Sequence, residues 1–317
     1  VGAEVPGSRQ AEQTKPEGYL PDAGLVDAVN VALLLGQPLL LTGEPGTGKT
    51  QLAYSLAWEL DLDEPLKFET KSTSTASDLF YTYNALGHFH AAQSGEGSRR
   101  ALDYLTYNAL GIAILRANDE PAVQAYLPDD FRHGGRRRSV VLIDEIDKAP
   151  RDFPNDLLNE VEAMYFRIPE LGNALIAADS AMHPVLVITS NSEKNLPDAF
   201  LRRCIFYHIP FPDRDRLERI IEARLGRFTG QAQDFLTDAL DMFERLREPA
   251  VGLRKKPATA EVLSWLVALR AIAPEAKNPL AEAPDAARRT VSTLVKTAED
   301  QEPALVVLDL WQKDRRR

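Results

Sequence analysis

The sequence predicts an α/β protein: a parallel, doubly wound sheet followed by an all-helical unit. Three observations carry this. Five short apolar runs bounded by turn residues alternate with helical stretches. A glycine-rich octet sits between the first run and a helical pattern. After "PFPDRDR" only helical periodicity remains.

The strand candidates are Pro38–Thr42, Pro65–Glu69, Ser139–Asp144, Pro184–Thr189 and Ile205–Phe211. They are expected to be apolar on both faces, because helices cover both sides of a parallel sheet. Beyond them, helices are predicted over 213–226, 231–247 and 258–272, with two more after the linker "APEAKNPLAEAPD". The expected organisation is a flexible tail over 1–15, an α/β unit over 16–212 and a helical unit over 213–317.

One stretch fits poorly. Between Glu69 and Arg138 no clear strand is visible, so an insert is placed at about 70–138. Within it "LDYLTYNALGIAILRA" reads as a helix, and "YTYNALGHFHAAQSGEGSRR" as aromatic, then glycine-rich and mobile. His88 and His90 have no cysteine or carboxylate partner at ligand spacing. They read as a partly buried or surface pair rather than a metal site.

Composition narrows the function classes. The 317 residues carry a net charge of −10, which does not advertise nucleic-acid binding. Arg136–Arg138 and Arg315–Arg317 are local exceptions and read as solvated loop and tail charge. The single cysteine, Cys204, excludes an internal disulfide and fits a reducing, cytoplasmic setting. No run approaches the ~18 apolar residues of a membrane span. The N-terminus lacks the apolar core of a signal peptide, so no membrane is expected.

The octet Gly43, Glu44, Pro45, Gly46, Thr47, Gly48, Lys49 and Thr50 fits G-x-x-x-x-G-K-[ST], and Gln51 follows it. Leu39–Leu41 before it read as a buried strand. Leu52, Ala53, Leu56, Ala57 and Leu60 after it read as one apolar helix face. Glycines let the backbone approach an anion, and successive N–H groups at a helix start form a phosphate nest. Lys49 is placed on the terminal phosphates of ATP and Thr50 on Mg²⁺.

In "SVVLIDEIDKAP" a strand delivers Asp144 and Glu145 to its C-terminal end, where open α/β sheets bind ligands. Asp144 is the candidate metal carboxylate, and Glu145 the group that orients and polarises the attacking water. In "PVLVITSNSEKNLPDAFLRRC" a third strand ends beside Asn191, an amide placed to position the same water. Arg202 and Arg203 close the next helix. They either complement its dipole or reach a neighbouring subunit's γ-phosphate as arginine fingers.

Taken in this order, these motifs resemble an AAA+ ATPase. "TSTASDL", "YFRIPE" and "RKKPATAEVLSWL" resemble its MoxR-like branch. The resemblance covers roughly residues 16–317. It implies a sheet of order 5-1-4-3-2, a helical lid and a ring, usually a hexamer. It also implies a helix-2 insert within 70–100 and a hairpin at about 165–182, both of which contact clients. Arg203 matches the finger position, immediately before the Cys204 that starts the last strand, and Arg202 is the second candidate. Many relatives carry an arginine where Ala260 stands here. Arg254, Lys255 and Lys256 lie just upstream, with Lys256 the candidate phosphate contact; a basic loop before Pro257 is the alternative. MoxR-like proteins often pair with von Willebrand A domain proteins, which makes such a protein the expected partner.

The expected activity is therefore Mg²⁺-dependent ATP hydrolysis that remodels protein partners. A nucleic-acid-stimulated motor is disfavoured by the acidic balance and the lack of an aromatic–basic stretch. A restriction-type GTPase is disfavoured by the absence of N-K-x-D. A static nucleotide-binding scaffold is disfavoured by the retention of Asp144, Glu145 and Asn191.

Overall fold

The computed structural model describes residues 15–94, 100–192 and 196–315. The expected tail, apart from Lys15, lies outside these residues. So do 95–99 of the glycine-rich stretch, 193–195, Arg316 and Arg317.

Nine strands run through the described residues: β1 (Leu39–Thr42), β2 (Leu66–Glu69), β3 (Tyr81–Tyr83), β4 (Leu105–Tyr107), β5 (Val140–Asp144), β6 (Tyr165–Ile168), β7 (Ala174–Ala177), β8 (Val185–Thr189) and β9 (Ile205–His208). Five form one parallel sheet in the spatial order β2-β5-β8-β1-β9. Counted along the chain within that sheet, this is the expected 5-1-4-3-2 order. The last strand stops at His208, short of the expected Phe211, and Pro210 with no N–H follows.

Register places the chemistry. Glu69 lies opposite Asp144, Leu142 opposite Val187, and Leu39 opposite both Val187 and Ile205. The inner strands β1, β5 and β8 are almost wholly buried, as a covered sheet requires. The outer strands β2 and β9 are not: Lys67, Glu69, Phe206 and His208 are exposed. Apolar residues on both faces are thus a property of the inner strands alone, because a rim strand is only partly covered.

The seventy-residue insert needs correction. It contains an antiparallel strand pair, with Tyr81 opposite Tyr107 and Tyr83 opposite Leu105. The run read as one helix is a 3-10 turn, then β4, then the helix Ala109–Arg116. Aromatic and β-branched residues favour strand here, and their apolar spacing mimicked a helix. Gly111 explains the close packing: a Cβ there would lie 2.0 Å from the Phe80 carbonyl oxygen. His88 lies on the helix Ala85–Ser94, 2.5 Å from the Tyr83 hydroxyl and stacked on Tyr104, whereas His90 is exposed.

A second hairpin, β6–β7, occupies the expected 165–182 region, with Phe166 opposite Ile176. Phe166 packs against Phe80, Tyr81 and Tyr107, with ring centroids 5.3, 6.2 and 6.1 Å away. The Tyr81 hydroxyl donates to Glu170, in the β6–β7 turn, at 3.0 Å. Burial and that bond raise the phenol's pKa well above its ordinary value and keep it protonated.

The Arg136–Arg138 run is not free solvated charge. Arg136 pairs with Asp179 at 2.6 Å, Arg137 pairs with Asp63 at 2.9 Å, and Arg138 donates to the Ala181 carbonyl at 3.0 Å.

The described chain forms two compact units. The α/β unit comprises Pro21–Gly43 and Lys49–Ile209. The other comprises Glu44–Gly48 and the chain from Pro210 onward, with the described residues up to Leu20. Its principal helices are Arg214–Leu225, Gln231–Arg247, Thr259–Ile272, Pro284–Thr290 and Ala298–Arg315. They enclose their own core, including Phe235, Phe243, Trp265, Leu266 and Trp311. Trp265 satisfies its buried N–H on the Thr290 hydroxyl at 3.0 Å. The expected linker is partly helical instead. Pro279–Glu282 forms a turn capped by Asn278, and its Leu280 is fully buried.

Candidate functional site

β1 runs into the glycine-rich octet, and the helix Lys49–Glu59 leaves it. Gly43, Gly46 and Gly48 all have positive φ (143°, 77° and 91°). At Gly46 a side chain is excluded twice over: φ is left-handed, and a Cβ would lie 2.7 Å from that of Ala258 within the same unit. Glu44 and Pro45 are exposed, and the Thr47 hydroxyl donates to the Glu44 carbonyl at 2.9 Å.

Lys49 is only 7% exposed, and its ammonium donates to the Gly43 carbonyl at 2.8 Å. Burial lowers its pKa, against the opposing charges of Asp147, Asp144 and Glu145. The buried Oε1 of Gln51 has no hydrogen-bond partner among the described residues.

Asp144 ends β5, 5% exposed. Its Oδ1 accepts from the Thr50 hydroxyl at 3.0 Å and from the Thr189 hydroxyl at 2.7 Å. Its Oδ2 lies 2.9 Å from the Lys67 ammonium. Burial pushes the carboxyl pKa up, but the bonds from Lys67, Thr189 and Thr50 outweigh it and hold the group below the usual carboxylate value.

Glu145 follows with φ 57°, a left-handed conformation that costs a non-glycine residue on the order of 1–3 kcal/mol. Two hydroxyls hold it there. Its N–H donates to Thr189 Oγ1 at 2.9 Å, and Thr70 donates to the carbonyls of Asp144, at 2.9 Å, and of Glu145. The Glu145 carboxylate pairs with Lys148 through Oε2 and accepts from Asn191 Nδ2 through Oε1 at 3.3 Å. Asn191 is anchored in turn. Its N–H donates to Asp147 at 3.0 Å, and the Ser190 hydroxyl donates to the same oxygen at 3.1 Å.

The structure thus brings Thr50, Asp144, Glu145 and Asn191 into one bonded cluster, with the Lys49 ammonium inside its negative field. The remaining candidates stand apart. Arg202 and Arg203 follow the helix Asp198–Leu201, both exposed. Arg203 bonds Glu162 at 2.9 Å and the Ala199 carbonyl at 3.2 Å, and Arg202 shows no side-chain bond to a described residue. Lys256 is exposed, while Asp300 holds the N–H groups of Arg254 and Lys255 at 2.8 and 3.1 Å.

Sequence reasoning missed Lys67, Thr70, Asp147, Lys148, Thr189 and Arg247. Arg247 stacks 3.4 Å from the Phe211 ring centroid and pairs with Glu44 at 2.8 Å, both in its own unit. Thr189 closes β8 and Thr70 immediately follows β2, both at the level of Asp144 and Glu145, a signal that register alone makes visible.

The donor set fits a magnesium nucleotide. A carboxylate and a hydroxyl supply the hard oxygens that Mg²⁺ takes, and a buried ammonium and glycine backbone suit phosphates.

The profile of the AAA domain (dynein-related subfamily) matches residues 38–204. An Escherichia coli protein described as "Uncharacterized protein YehL" is 23% identical over 193 residues, covering 60% of this chain and 46% of that protein. The chain thus spans about half the length of this curated relative. Among solved structures, two of Thermotoga maritima RuvB are similar. One is a substituted form (TM-score 0.42), and the other is titled a Holliday junction branch migration motor (TM-score 0.40). Each is 16% identical, with 90% of this chain and 67% of that chain covered. With a profile match over more than half of its length, the chain belongs to the AAA domain family, dynein-related subfamily.

Proposed function

We propose that this AAA domain, an ATP-binding module, hydrolyses ATP with Mg²⁺ in a MoxR-like ring, a hexamer, that remodels protein partners in the cytoplasm. A von Willebrand A domain protein is the proposed client or co-factor protein. Among the described residues no helix is long and apolar enough to cross a membrane.

The observation that carries the reading is the Thr50–Asp144–Glu145–Asn191 cluster at the C-terminal ends of β5 and β8. The backbone of Gly43–Gly48 and the Lys49 ammonium hold the phosphates. Thr50 and Asp144 are the proposed metal ligands, and Mg²⁺ when bound draws charge from the phosphate oxygens. Glu145 orients the attacking water and takes its proton; Asn191 fixes the Glu145 carboxylate and the water between them. Arg203 is the proposed finger, acting in trans, with Arg202 the alternative. Lys256 remains a proposed phosphate contact.

The test separates the parts. Lys49→Ala loses nucleotide affinity, and Glu145→Gln binds ATP but loses about 10²–10⁴ in turnover, the range of general-base catalysis. Arg203→Ala binds ATP and hydrolyses poorly. Mixed with Lys49→Ala subunits it regains activity, because those subunits still offer a finger to an intact P-loop. Wild-type turnover by Glu145→Gln would refute the hydrolytic assignment. Mixed rings without complementation would remove Arg203 from the trans role.

A further inference from the structure

A cation already sits on the buried carboxylate of the site. Lys67 lies on the rim strand β2, opposite Leu142, and its ammonium is 2.9 Å from Asp144 Oδ2. The hydroxyls of Thr50 and Thr189 both go to the other oxygen. The carboxylate side chain is 8% exposed and the lysine side chain 35% exposed, so this pair is shielded on one side and open on the other. Glu69, two residues along the same face, and Tyr54 of the helix Lys49–Glu59 are the other groups that act on the Lys67 charge.

A carboxylate this deep needs compensation to stay ionised, and two hydroxyls supply hydrogen bonds but no charge. Lys67 supplies the charge. A divalent ion arriving at Asp144 therefore meets a pair of net charge zero rather than a bare anion. Binding becomes favourable once phosphates bring their own negative charge.

We propose that Lys67 is a resident counter-ion that sets the divalent-cation requirement of this protein: it discharges Asp144 in the metal-free state and so makes metal binding depend on nucleotide. This rests on the reading of Asp144 as the metal's carboxylate. Lys67 is a positioning residue, since it acts through the Asp144 carboxylate.

The test is binding, not turnover. Free Mn²⁺ is measured by electron paramagnetic resonance over nucleotide-free protein. Mg²⁺ is titrated against binding of a fluorescent ATP analogue. A neighbouring unit charge shifts the proton affinity of a carboxylate by about 1–3 pH units, so removing it changes cation affinity at least about tenfold. Wild type is expected to bind no Mn²⁺ without nucleotide. Lys67→Met is expected to bind it, and to reach half-saturation at about tenfold lower Mg²⁺ with the analogue present. Lys67→Arg keeps the charge and is expected to match wild type.

An unchanged or higher Mg²⁺ requirement in Lys67→Met that still binds the analogue overturns the proposal. So does a Lys67→Arg protein with an altered Mg²⁺ requirement, a result readable even if Lys67→Met does not fold. Asp144→Asn isolates the underlying reading. If its Mg²⁺ requirement equals that of wild type, the metal assignment itself is wrong, whatever Lys67 does.

Discussion

Thr189 fixes two consecutive carboxylate residues at once: its hydroxyl donates to Asp144 Oδ1 at 2.7 Å and accepts from the Glu145 N–H at 2.9 Å. Thr189→Val keeps the shape and removes both bonds. It leaves a backbone donor unsatisfied, at a cost of about 1–3 kcal/mol. The expected protein is folded, less stable in urea, and slow in ATP turnover because Glu145 loses its hold on the left-handed conformation. Thr189→Ser is expected to recover most of both properties. Full turnover by Thr189→Val would show that the Thr189 bonds do not position the acidic pair.

In the helical unit Asp300 has a pKa below the usual carboxylate value. A bond from Thr297 contributes most, burial opposes it, and the N–H groups of Arg254 and Lys255 add to the lowering. A lowered folded pKa stabilises at pH above the unfolded value, ~3.9, and the gain is lost as pH falls through the folded value. Asp300→Asn is therefore expected to lower the urea midpoint at neutral pH. The gap to wild type should close below about pH 4. A gap that stays constant from pH 7 to pH 3 would remove the charge from this account.

Burial pushes the Cys204 thiol up to about 12, so almost no thiolate exists at pH 8. Native protein should react with iodoacetamide at least about a hundredfold more slowly than protein in denaturant, since the thiolate is the nucleophile. Mass spectrometry of timed quenches reads this directly. Equal rates in both states would place the thiol in solvent.

The fold was legible where one period dominated. Leu39–Leu41, Val140–Ile143 and Val185–Ile188 are short apolar runs between turn residues, and each is an inner strand. Around Tyr81–Tyr107 two periods compete. Tyr, Leu and Thr fit a strand, yet Leu102, Leu105, Ala109 and Ile112 also repeat at helical spacing, so the strand pair was hidden. At the site, the placing of Lys49 and Thr50 at a strand–helix junction, and of Asp144 and Glu145 at a strand's end, was legible because each follows from neighbours in sequence. Lys67, Thr70 and Thr189 were not. They act across strands, and only the register of β2, β5 and β8 brings them to the acidic pair. Arg247 escaped for the same reason, since its partner Glu44 lies two hundred positions away.

Phe166 has a mechanical consequence. It belongs to one hairpin, yet its ring touches three aromatic side chains of and beside the other. Only 1% of it reaches solvent, and close-packed interiors offer no slack for a ring to slide alone. The helix Leu158–Ala163 feeds directly into β6, downstream of Glu145 and Lys148. A tilt of that helix therefore cannot swing one hairpin and spare the other. The two are geared through a single tooth, and a push on either tip is felt at the root of both.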